Sequence, residues 1–168
     1  MTSTLDLACK HYAMQSTGID VTNVKAPSTE DVELYTAAML VCCAASGELH
    51  EKEEEWIVGH QAAFGAPDSI IQNIEGLKTK WTYEEILSKM KESPTLKSTR
   101  RFFVFHCISA CDADGVLDPM EIESIRGVSG ALDLQSDHFD EILALYKQQQ
   151  ELNNKLMKCL WTDNNPYE

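Results

Sequence analysis

The chain is short of positive charge. Fourteen lysines and arginines stand against twenty-seven acids, a formal net charge of −13 at neutral pH. Such a surface repels nucleic-acid phosphates and anionic lipid headgroups, so nucleic acid is not an expected partner. Divalent cations and basic partners fit it, and so does plain solubility. Long apolar runs are missing too. The longest, Leu34 to Ala45, has twelve residues and is too short to cross a bilayer as a helix. At the N-terminus no basic stretch leads into an apolar one. No secretory signal is therefore expected, and the expected location is cytoplasmic. In that setting the six cysteines are expected to be reduced thiols without a disulfide framework.

Several chemical signatures are also absent. There is no Cys-x-x-Cys, no phosphate-cradling glycine loop, no Gly-x-Ser-x-Gly elbow and no Glu-x-x-His pair. No segment sustains the two-residue alternation of a half-buried strand. What remains is an ordinary globular composition, 43% hydrophobic and 24% charged. Apolar residues recur at three- and four-residue intervals. This spacing predicts an all-α protein with helices near 5–15, 29–45, 51–64, 68–78, 83–92, 96–112, 119–132 and 136–160. The expected organisation is an N-terminal helix and linker over 1–28, a helical bundle over 29–147 and a C-terminal helical extension over 148–168.

The strongest internal signal is a repeat. A shift of 68 residues lays Cys43–Ala63 over Cys111–Ala131 with nine of 21 positions identical, among them Cys43/Cys111, Gly47/Gly115, Glu53/Glu121 and Ile57/Ile125. Each copy reads as a buried helix, a glycine turn, a glutamate and an amphipathic helix. Two copies are too few for a solenoid, so a single bundle of two pseudo-symmetric halves is expected. Leu34, Ala37, Ala38, Val41, Cys42 and Ala45, with Phe102, Phe105, His106, Ser109, Ala110 and Ala113, mark two helices that are apolar nearly all round and therefore central.

The second turn places Asp112, Asp114, Asp118 and Glu121 within ten residues. Registered on a calcium loop with Gly115 at position 6, these acids fall at positions 3, 5, 9 and 12, but position 1 is Ala110. The first turn offers Ala44, Ser46 and His50 at the matching places and keeps only Glu53. Helix capping accounts for the same residues. Asp118 can cap, Pro119 suits the first helical position, and Glu121 and Glu53 can close capping boxes.

The segments A-A-S-G-E-L-H-E-K-E at 44–53, A-D-G-V-L-D-P-M-E at 113–121 and I-x-x-V-x-x-A-L-D-L-x-x-x-x-F at 125–139 resemble the signature of the TerB tellurite-resistance family. The resemblance spans roughly 29–147 and includes the duplication. It implies an all-α fold of seven or eight helices with two central ones, a cytoplasmic stress-response role, and acidic residues that hold a divalent metal. Carried over residue by residue, those acids are Asp114 and Glu121, with Glu53 in the first copy; Ser46 stands where the family has aspartate. With Asp112, these are the candidate ligands for calcium, magnesium, manganese or zinc.

His60 and His106 match the apolar Val128 and Ala38 across the repeat, so both are expected to face inward. An inward histidine is either a hydrogen-bonded core residue or a ligand or proton carrier. If the two met beside Glu53 or Glu121, the protein would instead be a small enzyme with a pocket between its halves. Cys43, Cys107 and Cys111 could pack as small hydrophobes or join His106 at a zinc site. Beyond Lys147, Leu152, Leu156, Cys159 and Leu160 form one face opposite Gln149, Asn153 and Lys158. That face could dock on its own bundle, or serve self-association or a protein partner through 148–161 with Trp161 as an anchor.

Overall fold

The computed structural model describes residues 3–18 and 26–161. Residues 19–25, part of the linker expected over 16–28, and the chain beyond Trp161 lie outside the described residues. Among the described residues ten α-helices follow one another: α1 (Thr4–Thr17), α2 (Thr29–Cys43), α3 (Glu51–Ala63), α4 (Asp68–Ile71), α5 (Ile74–Lys78), α6 (Tyr83–Glu92), α7 (Pro94–Ser98), α8 (Arg100–Cys111), α9 (Pro119–Ala131) and α10 (Ser136–Leu160). A 3₁₀ turn, Ala44–Ser46, finishes α2. No strand occurs among the described residues. No helix among them is long and apolar enough to cross a membrane.

The fold class is the expected one, with more helices than the seven or eight anticipated. The two additions come from local breaks. The segment 68–78 splits at Asn73, whose backbone leaves the helical region (φ −114°, ψ 27°). The segment 96–112 splits at Thr99 (φ −104°, ψ 11°), and its first part starts early because Ser93 caps it and Pro94 occupies the first helical position. The last helix runs unbroken to Leu160.

Helices α2 and α8 form the centre. Ser28 starts α2 by accepting a hydrogen bond from the Asp31 N–H at 3.1 Å. From there α2 packs against α3, α5, α6, α8 and α9, while α8 packs against α2, α3, α9 and α10. On α8 the most buried side is Phe103, Val104, Cys107, Ile108 and Cys111; Phe102, Phe105 and Ser109, expected in the core, are only half-buried. Tyr35 meets Phe103 edge to face at 4.8 Å across the central pair. The two turns are closed by Gly47 (φ 128°) and Gly115 (φ 94°), backbone conformations that side chains rarely adopt. At the crossing of α6 and α9, the Tyr83 hydroxyl donates to the Ser124 carbonyl at 3.0 Å. A Cβ on Gly127 would lie on that hydroxyl.

The N-terminal helix is part of the same body. Tyr12 of α1 meets Phe64 edge to face at 5.3 Å, just beyond α3. The far half of α10 behaves differently. After Tyr146, which donates to Asp112 at 2.7 Å, nearly every side chain to Trp161 is exposed. The alternative in which this stretch docks on its own bundle is therefore corrected: its apolar residues Leu152, Leu156 and Leu160 stay exposed.

Ile57 and Ile125, mates across the repeat, are both fully buried in one shared core. Truncating either to alanine should cost about 2–5 kcal/mol, because the lost contacts and the remaining cavity add. Denaturant unfolding of Ile57→Ala and Ile125→Ala should show similar losses and a single transition in each.

Candidate functional site

The two halves meet at their turns, and residues matched by the repeat meet there too. Cys43 at the end of α2 and Cys111 at the end of α8 touch through their sulfurs at 3.4 Å. Glu53, in the first turn of α3, joins them. Among the described residues, Cys43, Glu53 and Cys111 are the one trio of metal-ligating side chains whose ligand atoms all lie within 4.8 Å of one another. Glu121, the mate of Glu53, stands close enough to raise its proton affinity. Ser46, the mate of Asp114, donates to Glu121 Oε1 at 3.0 Å.

Both glutamates are helix caps, as the sequence predicts. The His50 N–H donates to Glu53 Oε2 at 2.7 Å, and the Asp118 N–H donates to Glu121 Oε2 at 3.1 Å. Capping does not explain their burial, however. The protein has four capping boxes among the described residues. In α1 and α6 the acids that close them, Asp6 and Glu85, are exposed. Glu53 and Glu121 keep only 2% and 3% of their surface. Asp6, held by Ser3 backbone and side chain, sits below the usual carboxylate range. Glu53 goes the other way, to about 7: burial drives it up against the pull of the His50 N–H, and the charges of Glu121 and Asp114 add to the rise. Glu121 is raised as well, chiefly by burial.

The thiols beneath are held neutral. The contact with Cys43 and then burial push Cys111 far up. For Cys43 the contact with Cys111 favours the thiolate, but burial and the neighbouring acids and Cys42 together outweigh it. Six free cysteines are present among the described residues, with no disulfide.

The acids of the second turn do not converge as a calcium loop would. Asp112 Oδ2 accepts from the Tyr146 hydroxyl at 2.7 Å. Asp114 Oδ1 accepts from the Val116 N–H at 2.8 Å, and Asp118 Oδ1 accepts from the Met120 N–H at 2.7 Å. Glu121 turns instead toward the first half, through Ser46. The residue least favoured by the sequence, Glu53, thus sits nearest the sulfurs.

His106 does not join the cysteines. It pairs with His60 instead, ring centroids 4.2 Å apart and edge to face. The Tyr35 hydroxyl lies 2.7 Å from His106 Nδ1, and Trp56 stacks on His60 at 4.7 Å. Burial pushes His60 down to about 3, aided by His106, and pushes His106 down to about 4. Both imidazoles are neutral. No carboxylate completes a trio of metal-ligating atoms with them among the described residues.

No protein-family model and no curated protein matches the chain. The fold is shared with a solved structure, a tellurite resistance protein from Nostoc punctiforme. It is 24% identical, the match covers 99% of this chain and 100% of that one, and the TM-score is 0.78.

The buried glutamates give a signed pH dependence. Folded Glu53 holds its proton up to about pH 7, whereas the unfolded chain releases it near 4.5. Its contribution to stability is therefore complete below about pH 4.5 and is lost as pH rises toward 7. Melting temperatures of wild type and Glu53→Gln, measured from pH 4 to 8 without metal, should diverge across that window, the wild type losing ground as pH rises.

Proposed function

We propose that this chain is a cytoplasmic, stress- or resistance-associated helical module that binds one divalent cation where its two halves meet. The observation that carries the reading is the burial of two repeat-related carboxylates, Glu53 and Glu121, beside a pair of touching thiols. Like charges placed together out of water cost stability unless a proton or a cation offsets them. The likeness to a tellurite resistance protein supports a resistance-associated setting through the fold alone.

The donor set favours a borderline cation. Calcium and magnesium want six or more oxygens, and the acids of the second turn are spent on Tyr146 and on backbone N–H groups. Two sulfurs and a carboxylate oxygen, with Glu121 alongside, suit zinc better than calcium, magnesium or manganese. A bound zinc ion would displace the thiol protons and hold Cys43 and Cys111 as thiolates. The enzyme alternative draws less support, because His60 and His106 lie with aromatic rings and away from the paired acids.

A second reading concerns partners. Leu145, Leu152, Leu156, Met157 and Leu160 are all more than half exposed on α10, an uncovered apolar face. Leu145, Leu152, Leu156 and Cys159 keep heptad-like spacing, flanked by Glu151 and by Lys147, Lys155 and Lys158. Charges of both signs along one helix suit antiparallel pairing with a second copy of the chain. Sedimentation equilibrium should show concentration-dependent dimerisation that Leu152→Glu with Leu156→Glu abolishes. A monomer at all concentrations would remove this reading.

Metal binding is tested by thermal shift with zinc, calcium, magnesium and manganese. Zinc at a hundredfold excess over its Kd should add about 2.7 kcal/mol, a rise of roughly 5–10 °C for a chain of this size. Glu53→Gln and Cys111→Ser should each remove most of that rise, and Asp114→Asn should keep more of it. No shift with any of the four ions would leave capping as the whole role of the glutamates.

A further inference from the structure

Cys43 and Cys111 are mates across the repeat, and they meet sulfur to sulfur at 3.4 Å. Each is the last residue of its helix, α2 or α8, and the chain passes from it straight into a turn. Both side chains are fully buried. Ala44 and Ser46, just beyond Cys43, are nevertheless exposed, and Asp112 to Asp114 are half-buried. The pair thus lies one residue beneath the surface of the bundle.

A disulfide holds its sulfurs about 2.05 Å apart, so Cys43 and Cys111 must close by roughly 1.4 Å. Helix ends give way more readily than helix interiors, because their last carbonyls have no partner within the helix. A second thiol contact, Cys107 with Cys42, is placed differently: Cys107 lies one turn further inside α8, with helix on both sides. Where disulfides do form in a reducing compartment, they are usually transient and serve catalysis or redox sensing.

We propose that Cys43 and Cys111 are a redox switch on the metal centre: a small peroxide joins them in a disulfide, and the disulfide excludes the cation. The switch rests on the cation site proposed above. One sulfur attacks a peroxide oxygen; an S–O bond forms, the O–O bond breaks, and the thiol proton leaves with the departing hydroxide as water. The other sulfur then attacks the sulfenic sulfur; the S–S bond forms, the S–O bond breaks, and the second thiol proton leaves in a second water. The two sulfurs give up two electrons, and the two peroxide oxygens take them. Both thiols are held protonated at neutral pH, and the thiolate is the reactive form, so closure is slow. Metal binding needs the same sulfurs as thiolates, which a disulfide cannot supply. Of the ligand trio, closure leaves Glu53 alone.

The test starts from the variant Cys9→Ser with Cys159→Ser, which removes the half-buried and exposed thiols and keeps the four buried ones. Hydrogen peroxide should take its metal-free form from four free thiols to two, with the mass of two hydrogens lost, and dithiothreitol should restore all four. With Cys111→Ser added, the three remaining thiols should stay free under the same treatment; with Cys107→Ser added instead, two should still be lost. Should the Cys111→Ser variant fail to fold, fragmentation of the linked peptides from the parent variant locates the bond. Zinc should raise the melting temperature of the reduced protein and leave that of the oxidised protein unchanged. A bond between Cys42 and Cys107, four thiols still free after peroxide, or an oxidised protein that keeps its zinc shift would each overturn the switch. A reduced protein without a zinc shift would overturn the cation site, and the switch with it, whether or not the disulfide forms.

Discussion

Two buried carboxylates, matched by internal duplication and close enough to feel each other's charge, set the terms for this structure. Glu53 and Glu121 each tie the first turn of a helix to its cap, so neither can be withdrawn without loosening α3 or α9. Both helices rest on the central pair α2 and α8, whose ends bring Cys43 and Cys111 into contact directly beneath. The bundle therefore cannot close its core without also burying like charges together. A proton offsets it in the metal-free protein: burial, with the charges of Glu121 and Asp114 adding to it, raises Glu53 to about 7. A cation would resolve it equally well. Structure and proposed function thus rest on one electrostatic problem with two solutions.

Much of this architecture is legible in the sequence because it is local. Glycine at 47 and 115, a glutamate three residues after each cap, and helical periodicity on either side specify two copies of one motif. Each of these features acts within a few residues, so a single turn can be read by itself. The shared centre is a different matter. Judged along the chain, the second turn is rich in acids and the first is poor. Judged in space, Asp112 turns to Tyr146 and Asp114 to its own backbone, while Glu53 reaches the sulfurs. The sign that could have found this is the repeat itself, since a pseudo-twofold arrangement brings identical residues near its axis together. Cys43 with Cys111 and Glu53 with Glu121 are the pairs it singles out.

The histidines show a similar boundary. Their apolar repeat mates predict inward positions, and both are indeed buried against one another. What they face depends on where α3 and α8 cross. Those helices meet through the shared core, to which Ile57, Phe103 and Val104 belong, and no spacing rule encodes that crossing. The pair consequently lies among aromatic rings instead of beside the acids. On α10, amphipathic spacing marks an apolar face correctly but is silent on what covers it. The helix outruns the bundle because α8 and α9 are about half its length.

The most direct test of the account follows the carboxyl carbon of Glu53 by nuclear magnetic resonance through a pH titration, with and without zinc. The account predicts a midpoint near 7 in the metal-free protein and a carboxylate that stays ionised to well below pH 6 when zinc is bound. A midpoint near the ordinary glutamate value of 4.5, unmoved by zinc, would contradict it.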